Sequence, residues 1–266
     1  MVPVTTTAPE RPVGELLRGW RERRRLSQLE LSLRVDVSTR HLSYIENGRA
    51  KPSPDMILRL TEHLEVPLRE RNEVLLAGGY APAYPQHGLD APALARISDA
   101  LRLVLDGHLP YPAVVLNRWW EMVDANAAIT PLLQGVSPAL LEPPVNVLRL
   151  TLHPDGLAPR IVNLGQWRAH LLSQLRQRIE RTGDEQLRSL HSELIGYPGG
   201  GGDVAPSPHD VVLPMVLRAG DVELSLFTIT ASVGTASDVT VEEVVVESFY
   251  PADDATAAIL RRTEES

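Results

Sequence analysis

The sequence predicts two domains of different fold class: an all-α N-terminal domain of five short helices, then an α+β domain with a small antiparallel sheet. Residues 13–77 show helical spacing and tight turns with almost no β-branched alternation, whereas residues 211–250 carry most of the strand pattern. The segment GGYAPAYPQHGLDAP at 78–92 is rich in Gly and Pro, as linkers are. We therefore expect a flexible N-terminus over 1–12, the helical domain over 13–80, a linker over 81–92 and the second domain over 93–262.

The first helix carries an apolar stripe, Leu16, Leu17 and Trp20, and ends in a run of positive charge. The helix dipole favours positive charge at the C-terminal end of any helix. The run is therefore compatible with contacts to DNA phosphates and equally with an ordinary cationic helix end. It consists of Arg21, Arg23, Arg24 and Arg25.

Capping residues place the next helices in LSQLELSLRVDVSTRHLSYIENG. Ser27 and Glu30 form a capping box that begins the second helix at Gln28, where the free N-terminus suits a phosphate. After the turn VDV, Ser38 is a good N-cap for a third helix running to about Glu46. Two short helices at this separation make a helix-turn-helix. In the following PSPDMILRLTEHL, a Ser cap and a Pro at the first position begin the fourth helix.

The third helix has one apolar face and one polar face. Leu42 and Ile45 can join the core, and the polar residues of the helix then point outward. Arg is the best bidentate reader of guanine, and hydroxyl side chains contact bases or phosphates. Gly48 ends the helix, and cations follow it in a loop. The outward and flanking residues are Ser38, Thr39, Arg40, Ser43, Tyr44, Asn47, Arg49 and Lys51. The alternative is a five-helix packing unit with a solvated polar face.

The second domain begins with the helix ALARISDALRLVLDGH. YPAVVLNRWWEMVDAN then predicts a hairpin around Asn117 and Arg118, and VVLPMVLRAG with DVELSLFTITASV predicts an antiparallel pair turning at 219–221. VTVEEVVVESFY predicts a further strand. Helices are expected at 126–135, 143–152 and 164–195, and a flexible loop at 197–210.

Charge is unevenly distributed along the chain. The net charge of −8 would oppose DNA binding if it were spread evenly. Residues 1–51 hold ten Lys or Arg against six Asp or Glu, a net +4, which leaves −12 for the remainder. The N-terminal part is therefore compatible with a phosphate backbone, and the remainder is not.

The composition also limits the cellular compartment. The chain has no cysteine, which excludes disulfides and thiolate metal sites. No apolar run approaches the roughly 18–20 residues that span a bilayer, and MVPVTTTAPERPV lacks a secretory layout. We expect a cytoplasmic protein without a membrane partner.

Enzyme motifs are missing from the sequence. The eight His residues include no HxH, HxxxH or HExxH spacing, and neither a GxSxG elbow nor a P-loop occurs. We therefore expect no catalytic residue, no metal and no cofactor.

A mostly apolar interior with a few directed polar groups is what a small ligand needs, and the second domain offers several candidates. Asn146 and Arg149 are three apart on one expected helix face and could hold a carboxylate or carbonyl. Asn at helix starts also serves as a cap, and Trp also serves as core. The candidates are Tyr111, Asn117, Arg118, Trp119, Trp120, Asn126, Asn146 and Arg149, with His153 as a further polar residue.

The helical region resembles a known family. LSQLELS, VSTRHLSYIENGRAKPS and VPLRERNEVLLAGGYAP are similar to the Cro/repressor-like (Xre) helix-turn-helix family over about residues 13–80. The resemblance implies that Gln28 and the residues at 39, 40, 43, 44 and 47 face DNA. A single module makes few base contacts, so we expect a homodimer that reads two half-sites of an operator.

The second domain resembles the ligand-binding domain of MmyB-like regulators, through YPAVVLNRWWEMVDANAA, VNVLRLTLHPDGL and DVTVEEVVVESFYPADDATAAIL. The resemblance implies a PAS-like fold and, because one member holds a fatty acid, a fatty-acid-like ligand. The chain departs from the family at Asn117 and at the Trp pair 119–120. Two alternatives stay open: a ligand-free dimerisation module, and an adaptor that binds a protein instead of DNA.

Overall fold

The computed structural model describes residues 11–199 and 212–264, which form two compact units. The first unit contains the chain up to Gln86 with Glu180–Thr182 and Ala236–Glu242, and the second contains His87–Ile179, Gly183–Thr235 and the chain from Glu243. Two predicted flexible segments, 1–12 and 197–210, fall for the most part outside the described residues.

Five helices form the N-terminal region, as the sequence predicted, and they begin where the capping residues placed them. The Ser27 Oγ accepts a hydrogen bond from the Glu30 N–H at 3.1 Å, and the Glu30 carboxylate accepts one from the Ser27 N–H at 2.7 Å. The Ser38 and Ser53 hydroxyls cap the third and fourth helices, each by accepting one hydrogen bond, from the His41 and Met56 N–H groups. The helices are α1 (Val13–Arg23), α2 (Gln28–Arg34), α3 (Thr39–Glu46), α4 (Pro54–His63) and α5 (Leu68–Ala77).

The apolar stripes of these helices pack together to form the core of this unit. Leu17, Leu42 and Ile45 are almost fully buried and belong to one cluster. Gly14 lets α1 approach α3 closely, because a Cβ at Gly14 would lie 2.3 Å from the carbonyl oxygen of Ile45. The lack of a side chain at Gly14 therefore allows the first and third helices to pack closely.

The rest of the chain is α+β, as predicted. Its strands are β1 (Ala113–Leu116), β2 (Met122–Ala125), β3 (Met215–Ala219), β4 (Val222–Ser232) and β5 (Val245–Pro251). Its helices are α6 (Ala95–Gly107), α7 (Val147–Leu152), α8 (Leu164–Thr182), α9 (Glu185–Ile195), α10 (Val239–Glu243) and α11 (Asp254–Glu264). Short 3₁₀ segments lie at Pro92–Leu94, Ala127–Leu133, Pro138–Leu140 and Ala158–Arg160. None of the described helices is both long and apolar enough to cross a membrane.

The five strands form one antiparallel sheet in the order β2-β1-β5-β4-β3. Both predicted hairpins are confirmed: Leu116 pairs with Met122, and Ala219 pairs with Val222 across a turn at Gly220. The predicted strand VTVEEVVVESFY was too long. The Asp238 carboxylate accepts a hydrogen bond from the Thr240 N–H at 2.8 Å, so its first residues form α10, and β5 begins only at Val245.

The helices of this region differ from the predicted ones in type, start and number. The segment expected at 126–135 is a 3₁₀ helix, in which Pro131 has no N–H to donate. The segment expected at 143–152 becomes α-helical only at Val147. The long helix expected at 164–195 is two helices, because Gly183 adopts φ 72° and ends α8, and Asp184 caps α9.

The main core lies on one face of the sheet, under α7, α8 and α9, and a smaller cluster lies on the other face. Successive residues of β5 face alternate sides. Val246 belongs to the smaller cluster, whereas Val245 and Phe249 pack against the main core. Glu247, between them, occupies a core-facing position.

Candidate nucleic-acid interface and ligand cavity

Arg40 and Tyr44 form a pair on the outer face of α3. The Arg40 Nε donates a hydrogen bond to the Tyr44 hydroxyl at 2.9 Å, and the guanidinium lies 5.3 Å from the centre of the Tyr44 ring. Arg40 is exposed, and the two residues are one helical turn apart. The tyrosine therefore orients an exposed guanidinium that can form two parallel hydrogen bonds to a base edge or a phosphate.

The other polar residues predicted on α3 bond to their own neighbourhood. The Asn47 amide donates to the Ser43 carbonyl at 2.8 Å, and the Thr39 hydroxyl lies 2.9 Å from that of Ser32. Ser38 accepts its capping bond from the His41 N–H. These bonds fix the side chains along the helix–turn–helix without burying Ser38 or Asn47, which are both exposed.

Gln28 is held by a buried ion pair that the sequence analysis did not find. Its Nε2 donates to a Glu46 carboxylate oxygen at 2.8 Å. Glu46 is only 4% exposed and accepts two further hydrogen bonds, at 2.6 and 2.9 Å, from the Arg21 guanidinium. A signal was present, because position 46 lies one helical turn from Leu42 on the buried stripe of α3. The pair connects α1, the start of α2 and the end of α3.

Most of the basic run at the end of α1 has a structural role. Arg21 is in the ion pair, and Arg24 donates to the Leu64 and Glu65 carbonyls at 2.8 Å. Arg23 lies 4.5 Å from the centre of the Trp20 ring. These contacts therefore support the interpretation of the basic run as an ordinary cationic helix end over the interpretation as a set of phosphate contacts.

The loop cations follow the end of α3. Gly48 has φ 69°, which ends the helix, and Arg49 is exposed. The Lys51 ammonium lies 4.9 Å from the centre of the ring of Tyr80, which follows α5 in the chain.

A cavity of about 80 Å³ lies in the main core of the second unit. Its lining is largely apolar, and the polar residues in it are Thr151, Gln174 and Glu247. Gln174 is exposed and so belongs to the rim. The other lining residues are Val114, Trp120, Met122, Ile129, Leu132, Leu133, Val147, Leu148, Leu150, Leu157, Trp167, Leu171, Met215 and Phe249. Such a cavity accepts a small apolar body and a few directed hydrogen bonds.

Of the predicted ligand residues, Trp120 lines this cavity. The Asn126 amide instead joins three backbone groups: it accepts from the Ala113 N–H at 3.1 Å and donates to the Leu105 and Tyr111 carbonyls. The Asn146 side-chain Oδ1 caps α7 by accepting from the Leu148 and Arg149 N–H groups, and its Nδ2 donates to the Trp119 carbonyl at 2.8 Å. Both asparagines have the capping or structural role that was the alternative to ligand binding.

Arg118 lies in a buried cluster of charges. It is 7% exposed, and its guanidinium is 2.9 Å from Asp184 and 2.7 Å from Glu243. The Trp119 indole N–H also donates to Asp184, at 3.1 Å. The Asn117 side chain accepts from the backbone N–H groups at 119 and 121 and so shapes the β1–β2 turn. The chain's own carboxylates therefore occupy the positions that a ligand carboxylate would take.

Arg149 is exposed, and Tyr111 is half-buried against the main core. Arg149 forms a bidentate pair with Glu193 at 2.8 and 2.7 Å, and the Tyr197 hydroxyl donates to the same carboxylate. Burial and Glu193 together raise the pKa of Tyr197 to about 12. The Tyr111 hydroxyl accepts from Arg261 at 3.3 Å. Asn146 and Arg149 therefore do not meet at one anion site.

Comparisons with known proteins agree with this architecture. Residues 97–262 match the family described as MmyB-like transcription regulator ligand binding domain. The chain belongs to that family. Residues 12–74 match a helix-turn-helix domain, so the protein is a helix-turn-helix transcription regulator with an MmyB-like ligand-binding domain. No curated protein matches the chain.

Glu247 lies at the same cavity and was not among the ligand residues predicted from the sequence. Burial raises the pKa of its carboxyl, against the lowering effects of the Thr228 hydroxyl, which is hydrogen-bonded to it, and of the Arg178 guanidinium. The sequence held a signal, because Val245, Glu247 and Phe249 alternate along β5 and share one face. A carboxyl at a core-facing position beside a cavity is a candidate for ligand contact.

Proposed function

We propose that the protein is a sequence-specific, Xre-type DNA-binding regulator whose MmyB-like domain senses a small, largely apolar ligand. The observation that carries the proposal is the exposed Arg40–Tyr44 pair on the second helix of a helix-turn-helix. In such a motif this helix enters the major groove and reads base edges. The same chain carries an apolar cavity in its second domain.

At the DNA, each candidate residue has a distinct role. Arg40 reads a guanine, and Tyr44 orients the Arg40 guanidinium. Gln28, whose side chain is held by Glu46, contacts the DNA backbone. Arg49 and Lys51 add attraction to phosphates without sequence preference. Ser38, Thr39, Ser43 and Asn47 complete the surface. A homodimer would place two such helices about one turn of DNA apart, roughly 34 Å.

In the sensor domain, the apolar lining suits an alkyl body such as that of a fatty acid. At about 80 Å³ the cavity has room for several water-sized groups, given that one water needs roughly 10–15 Å³ of such space. Ligand binding would shift the regulator between states of different DNA affinity. A protein with this role acts beside the chromosome in the cytoplasm and needs no catalytic group.

The DNA proposal is tested by binding of the full-length protein to the region upstream of its own gene. Arg40→Ala should weaken binding about 5- to 150-fold and relax the preference for one sequence, the range expected for losing a bidentate guanine contact. Arg188→Ala is the matched control, because Arg188 is an exposed arginine on α9, outside the helix-turn-helix. Unchanged affinity and preference in Arg40→Ala would contradict base reading by α3.

Two further measurements separate the proposal from its alternatives. A shallow dependence of DNA affinity on salt would favour the adaptor, because phosphate contacts release counterions. Native mass spectrometry of the purified protein, followed by extraction, tests for a retained ligand. A well-folded protein that is reproducibly empty, and whose DNA binding no apolar compound alters, would favour the dimerisation module.

A further inference from the structure

The lining of the cavity carries a carboxyl group and no basic residue. Among the described residues that line the cavity, the titratable one is Glu247, and none is a Lys, Arg or His. Glu247 lies in β5 between its neighbours β1 and β4, where Val114 and Thr230 pair with it. The backbone that carries this carboxyl is therefore held at the centre of the sheet.

One cation, Arg178, acts on Glu247 from outside the lining of the cavity. The Arg178 guanidinium lies 4.2 Å from the centre of the Trp120 ring and donates to the Arg118 carbonyl at 3.2 Å. Its attraction, together with the Thr228 hydrogen bond, does not outweigh burial, so the pKa of Glu247 is raised.

A ligand carboxylate is poorly suited to this cavity. Two carboxyl groups that share a low-dielectric site cannot both ionise, so a fatty acid would have to take up a proton or leave a negative charge without a basic partner in the lining. A hydroxyl or amide group can instead donate a hydrogen bond to Glu247 without burying a new charge.

Trp167 supplies a second polar group at the same cavity. It is 4% exposed, it is one of the lining residues, and its indole N–H has no hydrogen-bond partner among the described residues. An N–H of this kind is a donor only. The oxygen of a hydroxyl or amide is an acceptor, so a neutral ligand can satisfy this N–H without bringing in a charge.

We propose that the ligand of the MmyB-like domain is an apolar molecule with a neutral hydrogen-bonding end, an alcohol or an amide, which donates to Glu247, and that it is not a carboxylate. The inference rests on the proposed function of this domain as a ligand sensor. It narrows the fatty-acid-like ligand to neutral relatives of a fatty acid.

The test compares n-octanol, octanamide and octanoate, which share an alkyl chain length, for binding to the full-length protein by calorimetry at neutral pH. Octanol or octanamide should bind at least about tenfold more tightly than octanoate, a difference of roughly 1.4 kcal/mol. Glu247→Gln keeps the shape of the side chain and removes its ionisation. It should raise octanoate affinity about tenfold and leave octanol affinity within about threefold.

Glu223→Gln is the matched control, because Glu223 is exposed on β4 and the variant loses the same charge away from the cavity. It should change neither affinity. Tighter binding of octanoate than of octanol by the wild-type protein overturns the inference and leaves ligand sensing intact; this comparison needs no variant. Failure of all three compounds to bind would overturn the inference together with the proposed sensor function.

Discussion

The buried ion pair between Arg21 and Glu46 should control the stability of the DNA-binding helices. Glu46→Leu removes the acceptor of two hydrogen bonds from a guanidinium whose side chain is only 10% exposed. Breaking a buried pair by removing one partner costs about 3–5 kcal/mol, because the other charge stays buried and unpaired. Since every 1.4 kcal/mol is a factor of ten, amide hydrogen exchange in α1 and α3 should become roughly 100- to 4,000-fold faster.

Hydrogen–deuterium exchange of the full-length protein, measured by mass spectrometry on peptides from α1 and α3, checks this expectation. The double variant Arg21→Met with Glu46→Leu should recover most of the protection, because apolar residues of similar volume replace buried pairs at little cost. Arg18→Ala is the control: it breaks an exposed pair with Glu22 on the same helix and should have almost no effect. Less than tenfold acceleration in Glu46→Leu, or no recovery in the double variant, would refute the reasoning.

Three further expectations concern the packing of both domains. Gly14→Ala should lower the stability of the five-helix unit by about 1–3 kcal/mol through the clash with the Ile45 carbonyl. Gly19→Ala, on the same helix with open space around it, should stabilise that unit in the same calorimetric scan; equal effects would contradict the close approach of α1 and α3. Asn126→Ala should cost at least about 2 kcal/mol in urea unfolding, because three buried backbone groups lose their partner, and a smaller loss would show that they find another. The contribution of Glu247 to stability should be complete below the unfolded pKa, near 4.5, and lost as pH rises through its raised folded pKa, so the stability of Glu247→Gln relative to wild type should increase with pH; a difference that does not depend on pH would contradict burial of the carboxyl.

Local chemistry made the N-terminal helices predictable. Ser27 with Glu30, Ser38, and Ser53 before a proline each name a helix start in the sequence alone, and the hydrogen bonds that they form confirm it. The close approach at Gly14 was not predictable, because it depends on which helix packs against α1.

Long-range contacts decided the rest. Arg118 follows a strand and stands beside two tryptophans, which suggested a ligand contact, but its partners Asp184 and Glu243 are 66 and 125 residues away in the chain. No local pattern indicates such pairs. Glu247 is an intermediate case. The alternation along β5 predicts which face of the sheet Glu247 occupies. Whether that face borders a cavity depends on how α7 and α8 pack over it. Of the ligand residues predicted near the Trp pair, Trp120 lines the cavity, whereas Asn117 and Arg118 lie in the β1–β2 turn.

The position of β5 also has a consequence for how the protein is made. This strand lies in the centre of the sheet but is the last strand among the described residues, so β1 and β4 cannot be joined until it has been synthesised. At 5–20 residues per second, a ribosome takes roughly 6–26 s to cover the stretch between β1 and β5. The residues of α1–α5 have all been synthesised before that interval begins. The residues of all five helices are therefore synthesised well before the strand that brings Glu247 and Phe249 to the wall of the cavity.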